Sequence, residues 1–142
     1  VALEILGGPN DGGVVSIQNE YSPRYRGEQD VLDKCTALGI AFLPWSPLGG
    51  AAQAGEVGSR YSEFAAVATE VGASAQEVVL AWLLALTPVM IPIPGATKLA
   101  TVESIIRASA LKLTSAQVDR LTAADSPNES LFPDTKPRSP LR

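Results

Sequence analysis

Val89-Met90-Ile91-Pro92-Ile93-Pro94-Gly95-Ala96-Thr97-Lys98 decides the architecture. A short apolar run, read as a strand over Val89–Ile93, enters a Pro-Gly turn, and a helical pattern follows from about Leu99 to Ser109. The prolines at 92 and 94 remove backbone donors, so pairing is expected to weaken there. Backbone N–H groups at such a turn, beside a helix start, form a seat for an anion such as a phosphate. Upstream, Val14–Pro23 and Ile40–Gly50 repeat the passage from strand to polar or glycine-rich turn. Three strand ends of this kind suggest one rim of a parallel α/β structure, where ligands bind beyond the carboxyl ends of the strands.

The segments between these ends carry helical spacing. Val1–Leu6 reads as the end of a helix stopped by Gly7-Gly8-Pro9. Val14–Ile17 reads as a short buried strand that delivers Gln18, Asn19 and Glu20 to its end. Val31, Leu32, Cys35 and Leu38 form the apolar stripe of a helix closed by Gly39, and Phe64, Val67, Ala68 and Val71 that of a helix over Arg60–Val71. Ser74-Ala75-Gln76-Glu77 and Thr114-Ser115-Ala116-Gln117 are capping boxes that open two more helices. The first turns Val78, Val79, Trp82, Leu83 and Leu86 inward; in the helix after Lys98, Val102, Ile105 and Ile106 are expected inward. Ser126–Arg142, rich in proline, reads as an irregular tail that either crosses a surface or stays disordered, so residues 1–125 and 126–142 are treated separately. The order strand, helix, strand, helices, strand, helix, without hairpin signals, fits a small open parallel sheet or a slice of a (β/α)₈ barrel. Either way two strand edges stay unpaired, which gives the chain an incomplete look and predicts a covering partner.

Composition narrows the function. The 142 residues carry a net charge of −4, with 46% hydrophobic and 18% charged residues, and suffice for one globular domain. The negative balance argues against nucleic acid or anionic membrane as the main partner, leaving a local basic site open. No charge occurs from Val78 to Thr97, but Pro88, Pro92 and Pro94 divide that run, so no membrane span is expected. The single cysteine, Cys35, excludes an intrachain disulfide, sits on an apolar stripe as a core residue, and fits a reducing, cytoplasmic setting. The chain opens on Val1 rather than Met, which suggests a fragment or a processed product. Histidine is absent, so this chain alone builds no Ser-His-Asp triad, Cys-His dyad or His-ligated metal site.

The strand ends carry the candidate chemistry. The amides of Gln18 and Asn19 can pair with another amide through donor and acceptor together, or simply cap a neighbouring loop. Trp45, between prolines, is either a rim aromatic that stacks on a heteroaromatic ring or a core-edge residue. Ser46 with Leu48-Gly49-Gly50 offers a hydroxyl and N–H groups to a pyrophosphate, or is a plain turn. Gly95-Ala96-Thr97-Lys98 offers close backbone approach, a hydroxyl and a cation. Lys98 either meets an adenosine 2′-phosphate or is a solvated lysine at a helix start. Tyr21 and Tyr25 either line a substrate mouth or lie on the surface.

In order and spacing, Ser16-Ile17-Gln18-Asn19-Glu20-Tyr21-Ser22-Pro23, Pro44-Trp45-Ser46-Pro47-Leu48-Gly49-Gly50 and Ile91-Pro92-Ile93-Pro94-Gly95-Ala96 resemble the aldo-keto reductase family. Ser74–Leu84 resembles the family helix before its last strand, and Ala108–Leu121 the segment after it. The resemblance covers about Val14 to Ala124. It implies a (β/α)₈ barrel, strands six to eight with their helices, and NADP(H) extended across the barrel mouth, with NAD(H) as the alternative. It implies a carbonyl substrate reduced by hydride transfer. Gln18 would bond the carboxamide and Trp45 would stack on the nicotinamide. Ser46, Pro47, Leu48 and Gly49 would line the pyrophosphate path, and Gly95, Ala96, Thr97, Lys98 and Thr101 would meet the adenosine phosphate end. The family's catalytic Asp, Tyr, Lys and His belong to the first half of the barrel, so no catalytic residue and no metal ligand is assigned here. Ser104 and Ile105 stand where the family commonly places a Glu-Asn pair, and no clear basic residue overlies the pyrophosphate, with Arg60 as a substitute. The resemblance implies an N-terminal half or oligomer partner over the open edges. A non-catalytic nicotinamide-binding or protein-interaction module is the second reading.

Overall fold

The computed structural model describes residues 2–132. Helix α1 (Ala2–Leu6) precedes a 3₁₀ turn at Pro9–Asp11, strand β1 (Ser16–Glu20), α2 (Gln29–Leu38) and β2 (Ala41–Trp45). A second 3₁₀ turn, Ala54–Glu56, leads into α3 (Val57–Arg60), α4 (Ser62–Val71), α5 (Ala75–Leu86), α6 (Leu99–Ala110) and α7 (Ser115–Ala123).

β1 and β2 run parallel, with Ser16 opposite Ala41 and Glu20 opposite Trp45. The third extended segment lies on the far side of β2 as a single parallel bridge between Phe42 and Met90. It is held by Phe42 N–H to Val89 O (2.8 Å), Ile91 N–H to Phe42 O (2.9 Å) and Ile93 N–H to Pro44 O (3.3 Å). Odd-numbered residues therefore face β2. Pro92 and Pro94 fall on the outer side, where a missing N–H costs this sheet nothing. The spatial order β1, β2, 89–93 follows chain order, as in a barrel wall.

The first strand starts two residues later than the expected Val14–Ile17 and ends three residues later. Val14 N–H turns back to Gly7 O, and pairing with β2 begins where Ala41 N–H meets Val15 O. Gln18 and Asn19 consequently lie within the strand, not beyond it. β1 is also not buried: Ser16 and Gln18 are exposed on the face opposite the helices, and Leu43 is half-buried beside them.

The core sits on the other face. Phe42, Ile40, Leu32, Cys35, Phe64, Val67, Val78, Val79, Trp82 and Leu83 are all 2% exposed or less. Burying such side chains contributes about 1.5–3 kcal/mol each. Trp82 anchors this layer. Its indole N–H donates to Thr122 Oγ1 (3.0 Å), Phe64 meets its ring edge-on at 5.3 Å, and the Arg26 guanidinium stands 4.9 Å from its centroid. Tyr21 stacks on Trp82 and is 1% exposed, so it is a core residue and does not line a mouth. Leu38 is exposed at the last turn of α2, off the expected stripe.

Both capping boxes form, Ser74 with Glu77 and Thr114 with Gln117. α6 is rotated from expectation. Ala108 is buried and Ser104 faces α5, while Val102 and Ile106 point outward at 42% and 62% exposure. Glu77 sets that rotation. Its buried carboxylate accepts from Ser74 N–H (2.9 Å), Ser104 Oγ (3.0 Å) and Arg107 Nε (2.8 Å). Burial pushes this carboxyl up, and these bonds more than offset it, holding its pKa below the ordinary carboxylate value.

No single helix among the described residues is long and apolar enough to cross a membrane. The described part of the tail, 126–132, is irregular and lies across loop 22–26. Ser126 Oγ donates to Arg24 O (3.1 Å), and Asn128 Oδ1 accepts from Arg26 N–H (3.0 Å). Residues 133–142 of the expected tail fall outside the described residues.

Candidate functional site

Two loops and a helix start converge beyond the carboxyl end of β2. The turn after Trp45 closes with Gly49 N–H to Ser46 O (2.8 Å). Ser46 takes the left-handed region at φ 49°, a conformation uncommon for a side-chain-bearing residue, and Gly50 takes φ 94°, which glycine adopts without cost. This turn faces Ile93–Thr97 across a cleft of about 510 Å³. One wall is Ser46, Pro47, Leu48, Gly50, Ala51 and Ala54, and the other is Ile93–Thr97 with Thr101.

The cleft unites two stretches that are distant in the chain. Of the expected site residues it brings together Ser46, Pro47, Leu48, Gly95, Ala96, Thr97 and Thr101. Four others lie elsewhere. Gly49 is buried in the turn itself. Lys98 is exposed as the N-cap of α6, outside the lining. Gln18 lies on the exposed face of β1. Trp45 opens onto a second space of about 460 Å³, lined also by Asn19, Glu20, Tyr25, Glu28, Ser130 and Phe132. There Phe132 approaches the indole at 5.5 Å with a 55° tilt.

The cleft's polarity favours an anion. No side chain caps the first turn of α6, and that turn holds no acid. Thr101 N–H and Val102 N–H turn back to Lys98 O (3.0 and 3.2 Å), and the Leu99 and Ala100 N–H groups stand at the positive end of the helix. Thr101 adds a hydroxyl within the same turn. A Cβ placed on Gly95 would meet nothing within 4 Å, so backbone there lies open to a ligand. These residues fit the phosphates of a dinucleotide. Arg60 does not serve the cleft, since it pairs with Glu56 at 2.7 Å. Ser104 is committed to Glu77, and Ile105 beside it offers no polar atom.

In the second space Asn19 Nδ2 donates to Glu28 Oε2 (2.7 Å), so this amide serves the loop-capping role weighed from sequence. Burial, with Glu28 and Glu20 nearby, pushes the Tyr25 phenol above its ordinary pKa. Sequence reading placed Glu20 at the strand end and gave it no role. It is 4% exposed and accepts from Ser130 Oγ (2.7 Å) and Leu131 N–H (3.1 Å). Its only signal was a carboxylate at a strand end, and its partners lie 110 residues away. Among the described residues no group of three or more His, Cys, Asp or Glu is placed to hold a metal ion.

A parallel sheet in barrel order, with a cleft at its carboxyl rim, defines an α/β architecture of the barrel kind. Residues 10–126 match the model of the aldo/keto reductase family, and the chain belongs to that family. It is 36% identical over 104 residues to an uncharacterized oxidoreductase of Schizosaccharomyces pombe, covering 72% of this chain and 32% of that protein. It is 34% identical over 101 residues to pyridoxine 4-dehydrogenase of Escherichia coli, covering 71% of this chain and 34% of that one. The chain thus spans about a third of the length of these relatives. Among solved structures, an aldo-keto reductase from Klebsiella pneumoniae in complex with NADPH superposes with a TM-score of 0.62 at 25% identity, over 73% of this chain and 38% of that one. An aldo-keto reductase from a deep-sea metagenome library shares the fold at TM-score 0.71 and 14% identity, over 82% and 41%.

Proposed function

We propose that this chain is the cofactor-holding part of an aldo-keto reductase, equivalent to barrel strands six to eight, and that it binds NADP(H). The supporting observation is the cleft between the Ser46–Ala51 turn and the Gly95–Thr101 helix start. Ser46 and the backbone of Pro47–Gly50 would hold the pyrophosphate. Thr97, Thr101 and the α6 N–H groups would hold the adenosine phosphate, with Lys98 adding a cation that favours NADP(H) over NAD(H). Gln18, on the exposed face of β1, and Trp45, at the end of β2, would orient the carboxamide and nicotinamide ring. When bound, the nicotinamide supplies the hydride that reduces an aldehyde or ketone to an alcohol. The proton for the carbonyl oxygen comes, in this reading, from an N-terminal barrel half or partner subunit seated on the open edges. This chain alone orients cofactor and turns over no carbonyl.

Calorimetric titration of the 142-residue chain with NADPH and NADH tests this. Gly95→Val is the discriminating variant, because Gly95 lines the cleft and a Cβ there meets no protein atom within 4 Å. It is expected to keep the fold and weaken NADPH by about tenfold or more, which is 1.4 kcal/mol or more. NADPH binding that survives Gly95→Val unchanged refutes the site. A folded, defined oligomer with no affinity for either cofactor would favour the interaction module instead.

A further inference from the structure

We infer that Phe132 occupies the ring position beside Trp45 and that Glu20 latches it there, so that a nicotinamide must displace the tail segment Ser130–Phe132 to stack. This rests on the cofactor reading above. The latch is built from three places in the sequence. Ser130 Oγ donates to Glu20 Oε2 at 2.7 Å, and Leu131 N–H reaches both oxygens of that carboxylate at 3.1 Å. Glu20 lies opposite Trp45 in the β1–β2 register, so the latch sits beside the indole. Arg24 Nε donates to Glu129 O (2.8 Å), and Glu129 N–H returns to Arg24 O (3.3 Å), fixing the approach of the segment. Leu131 closes over the Gly50 turn, where an added Cβ would stand 3.1 Å from its Cδ1. Phe132 then meets the indole at 5.5 Å, within the range of aromatic pairs.

The same segment therefore touches the turn of the phosphate cleft and covers the aromatic beyond it. Phe132 itself is 60% exposed, so it contributes nothing to the core and is held by Trp45 and the latch. A planar ring arriving at Trp45 competes with it directly. The phosphate end of the cleft, at Gly95–Thr101, is untouched by the segment. Occupation of the two ends should thus respond differently to the tail.

Two ligands separate the ends: NADPH, and adenosine 2′,5′-bisphosphate, which carries no nicotinamide. Phe132→Ala in the full 142-residue chain is expected to tighten NADPH by about two- to tenfold, the worth of an aromatic pair. Adenosine 2′,5′-bisphosphate should bind the variant as it binds the parent. Glu20→Ala should act in the same direction by releasing the latch, and Glu20→Gln, whose amide oxygen still accepts, should restore most of the parent behaviour. Acrylamide quenching of tryptophan fluorescence gives a readout independent of binding. It should rise in Phe132→Ala through Trp45, because Trp82 is fully buried. Unchanged or weakened NADPH binding in Phe132→Ala, with bisphosphate binding intact, overturns the inference and spares the cofactor reading. Absence of bisphosphate binding to the parent chain overturns the cofactor reading and this inference with it.

Discussion

Replacing Glu77 with alanine strips one buried carboxylate from three donors at once: Ser74 N–H, Ser104 Oγ and Arg107 Nε. Loss of the reciprocal half of the capping box costs about 1 kcal/mol. The Ser104 hydroxyl, left part-buried without its acceptor, adds about 1 kcal/mol. Arg107 is 62% exposed and re-enters water, so its ion pair adds under about 1 kcal/mol. The sum is about 2–3 kcal/mol. For a chain of this size that lowers Tm by roughly 10 °C, measurable by far-UV circular dichroism. The pH dependence has a definite sign. The folded pKa of Glu77 lies below the ordinary carboxylate value, so its contribution is full above that value and is lost as pH falls through the folded pKa. The stability gap between the parent and Glu77→Gln should therefore narrow on acidification. A Tm change under about 2 °C for Glu77→Ala would refute this account, since ordinary surface substitutions reach that size. Because the same carboxylate sets the rotation of α6, the variant should also bind adenosine 2′,5′-bisphosphate more weakly.

Lys98→Ala should weaken NADPH by about fivefold while leaving NADH unchanged, read by calorimetry, because an exposed cation interacts modestly with one added phosphate. Trp82→Phe should cost about 1–3 kcal/mol in urea denaturation, through the lost bond to Thr122 and the weaker platform under Arg26. Burial pushes the Cys35 thiol above its ordinary pKa, so a disulfide reagent at neutral pH should modify it only as fast as the fold opens. Rapid labelling under native conditions would contradict its placement in the core.

The starts of α5 and α7 were legible because their signals are local, whereas the helix expected over Arg60–Val71 divides at Tyr61 into α3 and α4. The boxes at Ser74–Glu77 and Thr114–Gln117 need four residues each, and both form. The rotation of α6 was not legible. Val102 and Ile106 look inward by hydropathy, yet Glu77, on another helix, draws Ser104 against α5 and holds the exposed Arg107 by its Nε. The start of β1 was misplaced for a related reason. Hydropathy favours Val14–Ile17, but the backbone register with β2 carries pairing on to Glu20, and the face bearing Ser16 and Gln18 has no cover that would demand apolar side chains. At the cleft, the Ser46–Gly50 and Gly95–Thr97 turns were legible as strand-end loops, and they line one space. Trp45 opens onto a different space from Ser46 because the chain leaves extended backbone between them, Ser46 taking φ 49°.

The margin formed by Pro92 and Pro94 has a consequence for self-association. A fibrillar stack grows only if each molecule both receives a rung and passes one on. On its β1 side this chain can accept an incoming strand, but its opposite rim lacks amide hydrogens at two successive outward positions. Propagation through that rim is interrupted, so strand addition should end in small closed assemblies and not in long filaments.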